Sequence, residues 1–452
     1  MKVLLSFVGE QDPYSDKTGE EGSIVTLCRH LKPEVIYLYP SAKGFGVKSE
    51  TQSRAQDTEI WINSEINKEA QVFVIPLQVV DPTDYSSILP LVRRVVEKTL
   101  RDFQQVECEI HLNCSSGTPQ LKSTWLILAN AGLFKNCRLW QVANPLFKSE
   151  KRVSLIEITF LEEENLLSRI KHYAEEFLFQ RMSEECLRLK DISVYSGRKE
   201  KAGLLSRIFR AYQNWDLIRY DDAYKRLYSV LNEVRATIDL NDLSNVLEAQ
   251  VQMLAKLKGN TTEENEYNLV DLYMNARRRL IRSDFTDTLS RFWRIYEGIL
   301  FAHLRNVYYI EPTDLAKSGD KSRVKAITGG GYFYPGINKL SIVTSETVLA
   351  GIFKDKVFRK IGDKYIPVKR GQSTQKMKLS ELLKELRERR NESIVAHGMK
   401  PVAEDDAVNC LEAIESVMEE LIPAAVSLIE NYSLKEKQME LVISVLDQAF
   451  AY

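Results

Sequence analysis

The chain has 452 residues, enough for two or three domains at roughly 100 to 200 residues each, and 44% hydrophobic residues give each a core. With 62 Lys+Arg against 63 Asp+Glu the net charge is −1, which excludes bulk attraction to nucleic acid or membranes and restricts any polyanion site to a local patch. The apolar run Val3 to Val8 stops at Gly9-Glu10-Gln11-Asp12, too short for a signal peptide, and no stretch nears the roughly 18 apolar residues of a membrane span. Six cysteines without a Cys-x-x-Cys pair complete the profile of a reduced, cytoplasmic protein.

From residue 1 to about 160, β-branched runs (Val3 to Val8, Val35 to Tyr39, Val72 to Leu77, Glu109 to Leu112, Arg138 to Val142, Val153 to Phe160) alternate with helix-length segments (Ser23 to Leu31, Gln52 to Asn67, Tyr85 to Phe103, Gln120 to Leu133). Strict alternation predicts βαβ units and a Rossmann-like α/β domain with a parallel sheet, the short link after Val142 allowing a final antiparallel pair. After residue 160 the period becomes 3.6, as in Leu217, Tyr220, Tyr224, Leu227, Leu231 and Val234, or Phe285, Leu289, Phe292, Trp293, Tyr296 and Leu300. These stripes read as core, so the second half is mainly α-helical. Three segments follow: a Rossmann-like domain over 1–160, a helical connector over 161–265, and a third domain over 266–452 with an irregular basic insertion at about 305–378. Gly329-Gly330-Gly331, Pro335 and Gly336 break any helix in that insertion, which reads as loop with short extended pieces.

Ligands of such sheets bind beyond the carboxyl ends of the strands. There the fourth strand runs into Asn113-Cys114-Ser115-Ser116-Gly117-Thr118-Pro119-Gln120, and the first into Gly9-Glu10-Gln11-Asp12-Pro13 with a helix opening at Gly22-Ser23. Small hydroxyl residues and glycines at a strand-to-helix turn let a ligand approach the backbone and aim free N–H groups at an anion, although the same residues also serve as plain helix caps. Gly-x-Gly-x-x-Gly is absent, which argues against a dinucleotide dehydrogenase.

These loops, with Gly22-Ser23-Ile24-Val25, resemble the CRISPR-associated Rossmann-fold (CARF) sensor domains. The resemblance covers roughly the first 160 residues and implies a symmetric homodimer whose two pockets merge around one cyclic oligoadenylate: cyclic tetra-adenylate first, cyclic hexa-adenylate second. Gly9, Gln11, Asn113, Ser115, Ser116, Gly117, Thr118, Gln120 and Asn144 are the expected ligand-binding residues, with phosphates at the helix N-termini and side-chain amides on adenine edges or ribose hydroxyls.

Further on, Ser380 is expected to cap a helix with apolar positions Leu382, Leu383, Leu386 and Ile394, ending near Ala396 with Gly398 as a left-handed terminator. Residues seven apart differ by about 20° around a helix, which places Arg390 and His397 on one face with Asn391 beside them. Arginine grips phosphate oxygens in two-pronged fashion and an imidazole moves a proton near neutral pH, which is what RNA cleavage by attack of its own 2′-hydroxyl requires. Arg and His near a helix end also fit a merely favourable dipole interaction, and spacing alone leaves both readings open.

Arg390, Asn391 and His397 resemble the arginine, four to six residues, histidine motif of the higher eukaryote and prokaryote nucleotide-binding (HEPN) ribonucleases, and the segment from Ala276 to Glu297 is similar to that family's first helices. Behind a CARF-like half, this implies a ribonuclease of the type III CRISPR Csm/Csx effectors: a metal-independent endoribonuclease for single-stranded RNA, activated by its cyclic ligand and leaving a 2′,3′-cyclic phosphate. Arg390 then stabilises the transition state, Asn391 orients groups and His397 assists proton transfer. The rival is a regulatory or scaffold protein whose HEPN-like half binds RNA or a partner without cutting. Residues 354 to 378 hold nine Lys/Arg against Asp355 and Asp363, a local +7, and Lys369 and Arg370 are the expected RNA contacts. His30, His111, His172 and His303 lack metal-ligand spacing and read as structural, no metal site is expected, and neither stable DNA nor membrane binding is.

Overall fold

The computed structural model describes residues 1–16, 18–42, 50–103, 107–134, 136–144, 151–157, 159–237, 240–259, 264–329 and 331–447. The chain forms two compact units, Met1–Glu164 and Asn165–Tyr452.

The first unit is a six-stranded sheet in the order β3-β2-β1-β4-β5-β6. Its strands are β1 (Lys2–Phe7), β2 (Val35–Tyr39), β3 (Gln71–Val74), β4 (Glu109–Asn113), β5 (Cys137–Val142) and β6 (Val153–Ile156). All pairs are parallel except β5 with β6, where Trp140 faces Leu155 in antiparallel register. Helices α1 (Ser23–Leu31), α2 (Gln52–Trp61), α3 (Tyr85–Arg101) and α4 (Pro119–Asn130) fill the connections. β2 is Val-Ile-Tyr-Leu-Tyr with every residue buried, as a central parallel strand covered on both faces requires. Alternation along β1 divides the core: Val3, Leu5 and Phe7 join a cluster with Trp125, Phe7 and Trp125 stacking at 4.5 Å, while Leu4 and Val8 join one with Ile24 and Leu27. The strand order reverses between β1 and β4, so a crevice opens at their carboxyl ends.

The boundary of the second unit falls within α5 (Thr159–Glu175). α6 (Phe179–Ile192), α7 (Ser196–Asp216), α8 (Tyr220–Arg235), α9 (Asn241–Leu257), α10 (Glu266–Ile281) and α11 (Phe285–Tyr308) follow. Next come α12 (Lys321–Gly329), α13 (Ile342–Thr347), α14 (Lys356–Gly362), the hairpin of β7 (Tyr365–Arg370) and β8 (Ser373–Lys378), then α15 (Leu379–Glu392), α16 (Glu404–Leu421), α17 (Ala424–Glu430) and α18 (Glu436–Asp447). One hydrophobic cluster runs from Leu166 to Leu446. The helices of 161–265 therefore share a core with the third segment instead of standing apart as a connector.

The insertion differs from the expected loop. Ser341 and Thr344 form a reciprocal capping box at α13, Asp355 caps α14 through the Phe358 amide at 2.8 Å, and Ile366 and Val368 pin the hairpin by burial. Glycine and proline correctly marked the breaks, but short capped elements between breaks carry too little periodicity to register.

Two buried aspartates organise this unit. Asp271 accepts hydrogen bonds from Trp215 Nε1 at 2.6 Å, Tyr220 OH at 2.9 Å and Tyr432 OH, joining α7, α8 and α10 to the chain after α17. Asp216 faces Arg278 at 2.8 Å, Arg279 at 2.9 Å and Arg282 at 2.8 Å. Burial alone would raise its pKa, and the three guanidiniums outweigh burial and hold it below the ordinary aspartate range. Arg278 is 2% exposed, so Asp216→Ala leaves a buried cation without its counter-ion and should cost roughly 3–5 kcal/mol in urea unfolding followed by helical circular dichroism. Because the folded pKa is lowered, this stabilisation is present above the unfolded aspartate value near 3.9 and is lost as pH falls through the folded value, and the variant should show a flatter acid-unfolding curve than the native chain.

Candidate functional site

The crevice between β1 and β4 holds a cavity of about 630 Å³. Gly9, Gln11, Ser115, Ser116, Gly117, Thr118 and Asn144 line it, as expected from the sequence. A Cβ on Gly9 would lie 3.0 Å from the Gly117 nitrogen and 3.1 Å from Ser116 Oγ, tighter than side chains ordinarily pack, so glycine here suits the close approach of the two loops. Gly117 has φ +96, a conformation side chains resist. Thr118 caps α4 by accepting from the Leu121 amide at 3.3 Å and donates to the Pro82 carbonyl at 2.7 Å. Pro119 takes the first helical position as anticipated.

Asn113 and Gln120 fall outside the lining. Asn113 is fully buried, donates to Ser6 Oγ at 2.9 Å and Ser23 Oγ at 3.0 Å, and accepts from the Ser115 amide at 2.9 Å, so it shapes the loop from beneath.

Sequence reasoning missed Asp12 and Lys122. Asp12 is 1% exposed, and its carboxylate accepts from the Gly9 amide at 3.1 Å, the Ile24 amide at 3.3 Å and Ser116 Oγ, clamping both loops and the start of α1 together. Burial pushes its pKa up against those hydrogen bonds and the nearby Lys122. Lys122 lines the cavity, its pKa lowered by burial and opposed by Asp12. A lysine in the first turns of α4 opposes the helix dipole, and that was the available signal: such a charge is at home where an anion binds.

The second candidate lies on α15. This helix starts after Lys378, without a Ser380 cap, and ends at Glu392, four residues before the expected end. Ser393 leaves the helix with φ −96 and ψ 169, and the chain reverses through hydrogen bonds from the Ala396 and Gly398 amides to Ser393 O, both 3.1 Å. The Lys400 amide then returns to Glu392 O at 2.9 Å. Arg390 therefore sits on the last helical turn and His397 in a turn beyond it, and the shared helical face is replaced by a loop closed by a parallel bridge between Ser393 and Lys400. Gly398 is no left-handed terminator; a Cβ there would lie 1.8 Å from the Glu392 oxygen.

The arginines of α15 divide sharply. Arg387 donates to both Glu346 oxygens at 2.7 Å, and Arg389 meets Glu392 at 3.5 Å and Asp406 at 3.6 Å. Arg390 has no carboxylate partner among the described residues; its guanidinium lies over the Trp293 ring at 5.8 Å and its Nε is buried without a hydrogen bond. Arg387 lies over the same ring at 5.6 Å. A cation held by an aromatic face with its donors unspent is prepared for an oxyanion. Asn391, the next residue on α15, and His397, in the turn beyond the helix, are both exposed.

Lys369 and Arg370 are otherwise engaged. Lys369 pairs with Glu404 at 2.7 Å and Asp405 at 3.7 Å, and Arg370 with Glu385. Lys364 meets Glu419 at 3.2 Å, so Glu385, Glu404, Asp405 and Glu419, all outside the run, offset much of the local +7, while Lys378 meets Asp363 within it at 3.1 Å. Of the other histidines, His111 accepts from Trp140 Nε1 at 2.9 Å and His303 meets Asp355 at 2.7 Å, both in packed surroundings. The described residues include no cluster of three or more metal-ligating side chains and no helix long and apolar enough to cross a membrane.

No family model matches the chain. It is 23% identical over 326 residues to the CRISPR system endoribonuclease Csm6′ of Streptococcus thermophilus, covering 68% of this chain and 74% of that one. It is 26% identical over 256 residues to Csm6 of the same species, covering 52% and 55%, and 24% over 152 residues to Csm6 of Enterococcus italicus, covering 34% of each. The fold is shared with the solved structure of Enterococcus italicus Csm6 bound to cyclic hexa-2′-fluoro-hexa-dAMP, with TM-score 0.58, 16% identity and 99% of both chains covered.

The return of the chain at Gly398 is open to direct measurement. Gly398→Ala should break the Lys400-to-Glu392 hydrogen bond and speed amide exchange at Lys400, while the amides of Leu382 to Leu386 keep their protection.

Proposed function

We propose that this chain, similar to the Csm6 endoribonucleases, is a CARF–HEPN effector of the type III CRISPR kind that cuts single-stranded RNA on α15 when a cyclic oligoadenylate fills the β1/β4 crevice. The observation that carries the ribonuclease reading is Arg390, its guanidinium spread on Trp293 and unpaired where its helical neighbours are paired.

On this reading the scissile phosphate rests against Arg390. The 2′-oxygen forms a bond to phosphorus as the bond to the 5′-oxygen breaks; the 2′-proton passes to a neutral imidazole and the 5′-oxygen takes a proton from an imidazolium. The products are a 2′,3′-cyclic phosphate and a 5′-hydroxyl. Asn391 orients the phosphate. One chain brings a single His397, and two copies across a two-fold axis supply both protonation states. Apolar exposure supports that pairing: Ile394 is 71% and Met399 90% exposed on the turn that carries His397, surface that a second copy would cover.

In the crevice, Lys122 and the Ser115–Thr118 amides receive ring phosphates, with Gln11 and Asn144 toward adenine or ribose. Two-fold symmetry suits a ring. Cyclic hexa-adenylate takes precedence over cyclic tetra-adenylate because the Enterococcus protein of the same fold holds a six-membered analogue. A hundredfold activation needs the ligand to prefer the active arrangement by about 2.7 kcal/mol, within reach of several phosphate contacts.

Arg390→Ala or His397→Ala should lower cleavage of labelled single-stranded RNA by about 10² or more while leaving the thermal unfolding midpoint in place, since neither side chain is core; near-normal cutting by either variant overturns the assignment. Cyclic hexa-adenylate should raise that midpoint in the native chain, and Lys122→Glu should weaken the ligand's apparent affinity tenfold or more, read by titrating the same shift.

A further inference from the structure

The positive charge that the sequence places on the β7–β8 hairpin is largely neutralised there, while a second group of cations is not. Between α6, α7 and α8 lies a groove of about 890 Å³. Lys190, Lys199, Lys201, Arg207, Arg210 and Arg226 line it against two carboxylates, Glu200 and Glu233. Glu233 is spent on Arg207 through two bonds of 2.6 Å. Among the described residues the other five cations have no carboxylate partner. In a chain of net charge −1, five unpaired cations along one groove are a local field of the kind that whole-chain charge conceals.

The groove is built to keep that charge in a row. Positions 199, 203, 207 and 210 fall within about 80° of one another around α7 and span roughly 16 Å along its axis. Gly203 leaves space at the centre of the row, and the Lys190 stem from α6 lies across it, Cδ 3.3 Å from where a Cβ would stand. Arg226 approaches from α8, and Leu187, Leu204 and Val234 supply apolar walls between the charges. Cations spaced along a helix-length trough, with no dense cluster of acids opposite, match a chain of phosphates better than a single small anion.

We propose that this groove holds the phosphate backbone of single-stranded RNA, as a substrate-retaining site separate from Arg390 and His397. The proposal rests on the reading of the protein as an RNA-cleaving enzyme only in its choice of polyanion. Retention there raises the residence of long substrates without taking part in bond breaking, and because every contact is to phosphate it reads no sequence.

The test uses the full chain carrying Lys199→Gln, Arg210→Gln and Arg226→Gln together, all at exposed helix positions, with circular dichroism to confirm the fold. Binding of a fluorescent single-stranded 30-mer RNA is measured across a salt series by anisotropy. Removing three phosphate contacts should reduce the slope of log affinity against log salt by roughly two and weaken binding at least tenfold at moderate salt. Lys369→Gln with Arg370→Gln, whose charges are already paired, should move the slope by much less. An unchanged slope in the triple variant, or a larger loss in the hairpin variant, overturns the proposal. A native chain that binds this RNA with the expected slope but never cuts it, with or without cyclic oligoadenylates, would instead sink the ribonuclease reading and leave the groove standing.

Discussion

Asp216 is the point from which the helical unit is braced. Its carboxylate closes α7 and receives three arginines of α10 and the turn after it, and Arg282 continues to the Glu176 carbonyl at 2.9 Å between α5 and α6. Asn275 also donates to Asp216 at 3.0 Å while its own oxygen accepts from Arg291 on α11. Two residues along α11 is Trp293, the plate under Arg387 and Arg390. A buried acid remote from the chemistry thus sets the orientation of the surface on which the unpaired guanidinium lies. The carboxylate keeps its charge because three cations outweigh burial.

Much of the first unit was legible because its periodicities are long and uninterrupted. Parallel strands buried on both faces leave continuous apolar runs, such as Val35 to Tyr39, and the covering helices leave 3.6-residue stripes, so all six strands emerged near their observed positions. The loops were legible for a related reason: glycines and hydroxyl residues at a strand-to-helix turn mark close backbone approach and helix capping, and both occur here, at Gly117 and Thr118. Asp12 was not, because its role depends on Gly9, Ile24 and Ser116 converging from three parts of the chain. Lys122 carried a signal in its conflict with the helix dipole, but one charge conflict in a helix is weak evidence before a cavity is seen.

In the helical unit the relation between sequence and geometry is less direct. Arg390 and His397 could be picked out from the motif, whereas the common helical face expected of them is not formed: the helix ends at Glu392 and His397 lies in the turn beyond it. The basic run of 354–378 misled for a similar reason. Local charge counts cannot include Glu385, Glu404, Asp405 and Glu419, which arrive from α15 and α16. The cations of α6 to α8 escaped notice because they come from three separate helices and meet along one groove only on folding.

The return at Gly398 bears on how an arginine–histidine pair of this kind tolerates change. On a continuous helix, adding or removing one residue between the partners would swing the imidazole by about 100°, and only one spacing would serve. Here the separation is set by a short span of non-helical backbone anchored at Ser393 and Lys400, so the imidazole is not tied to a fixed rotation per residue. Chain length acts as an adjustable tether rather than as a gear with fixed teeth.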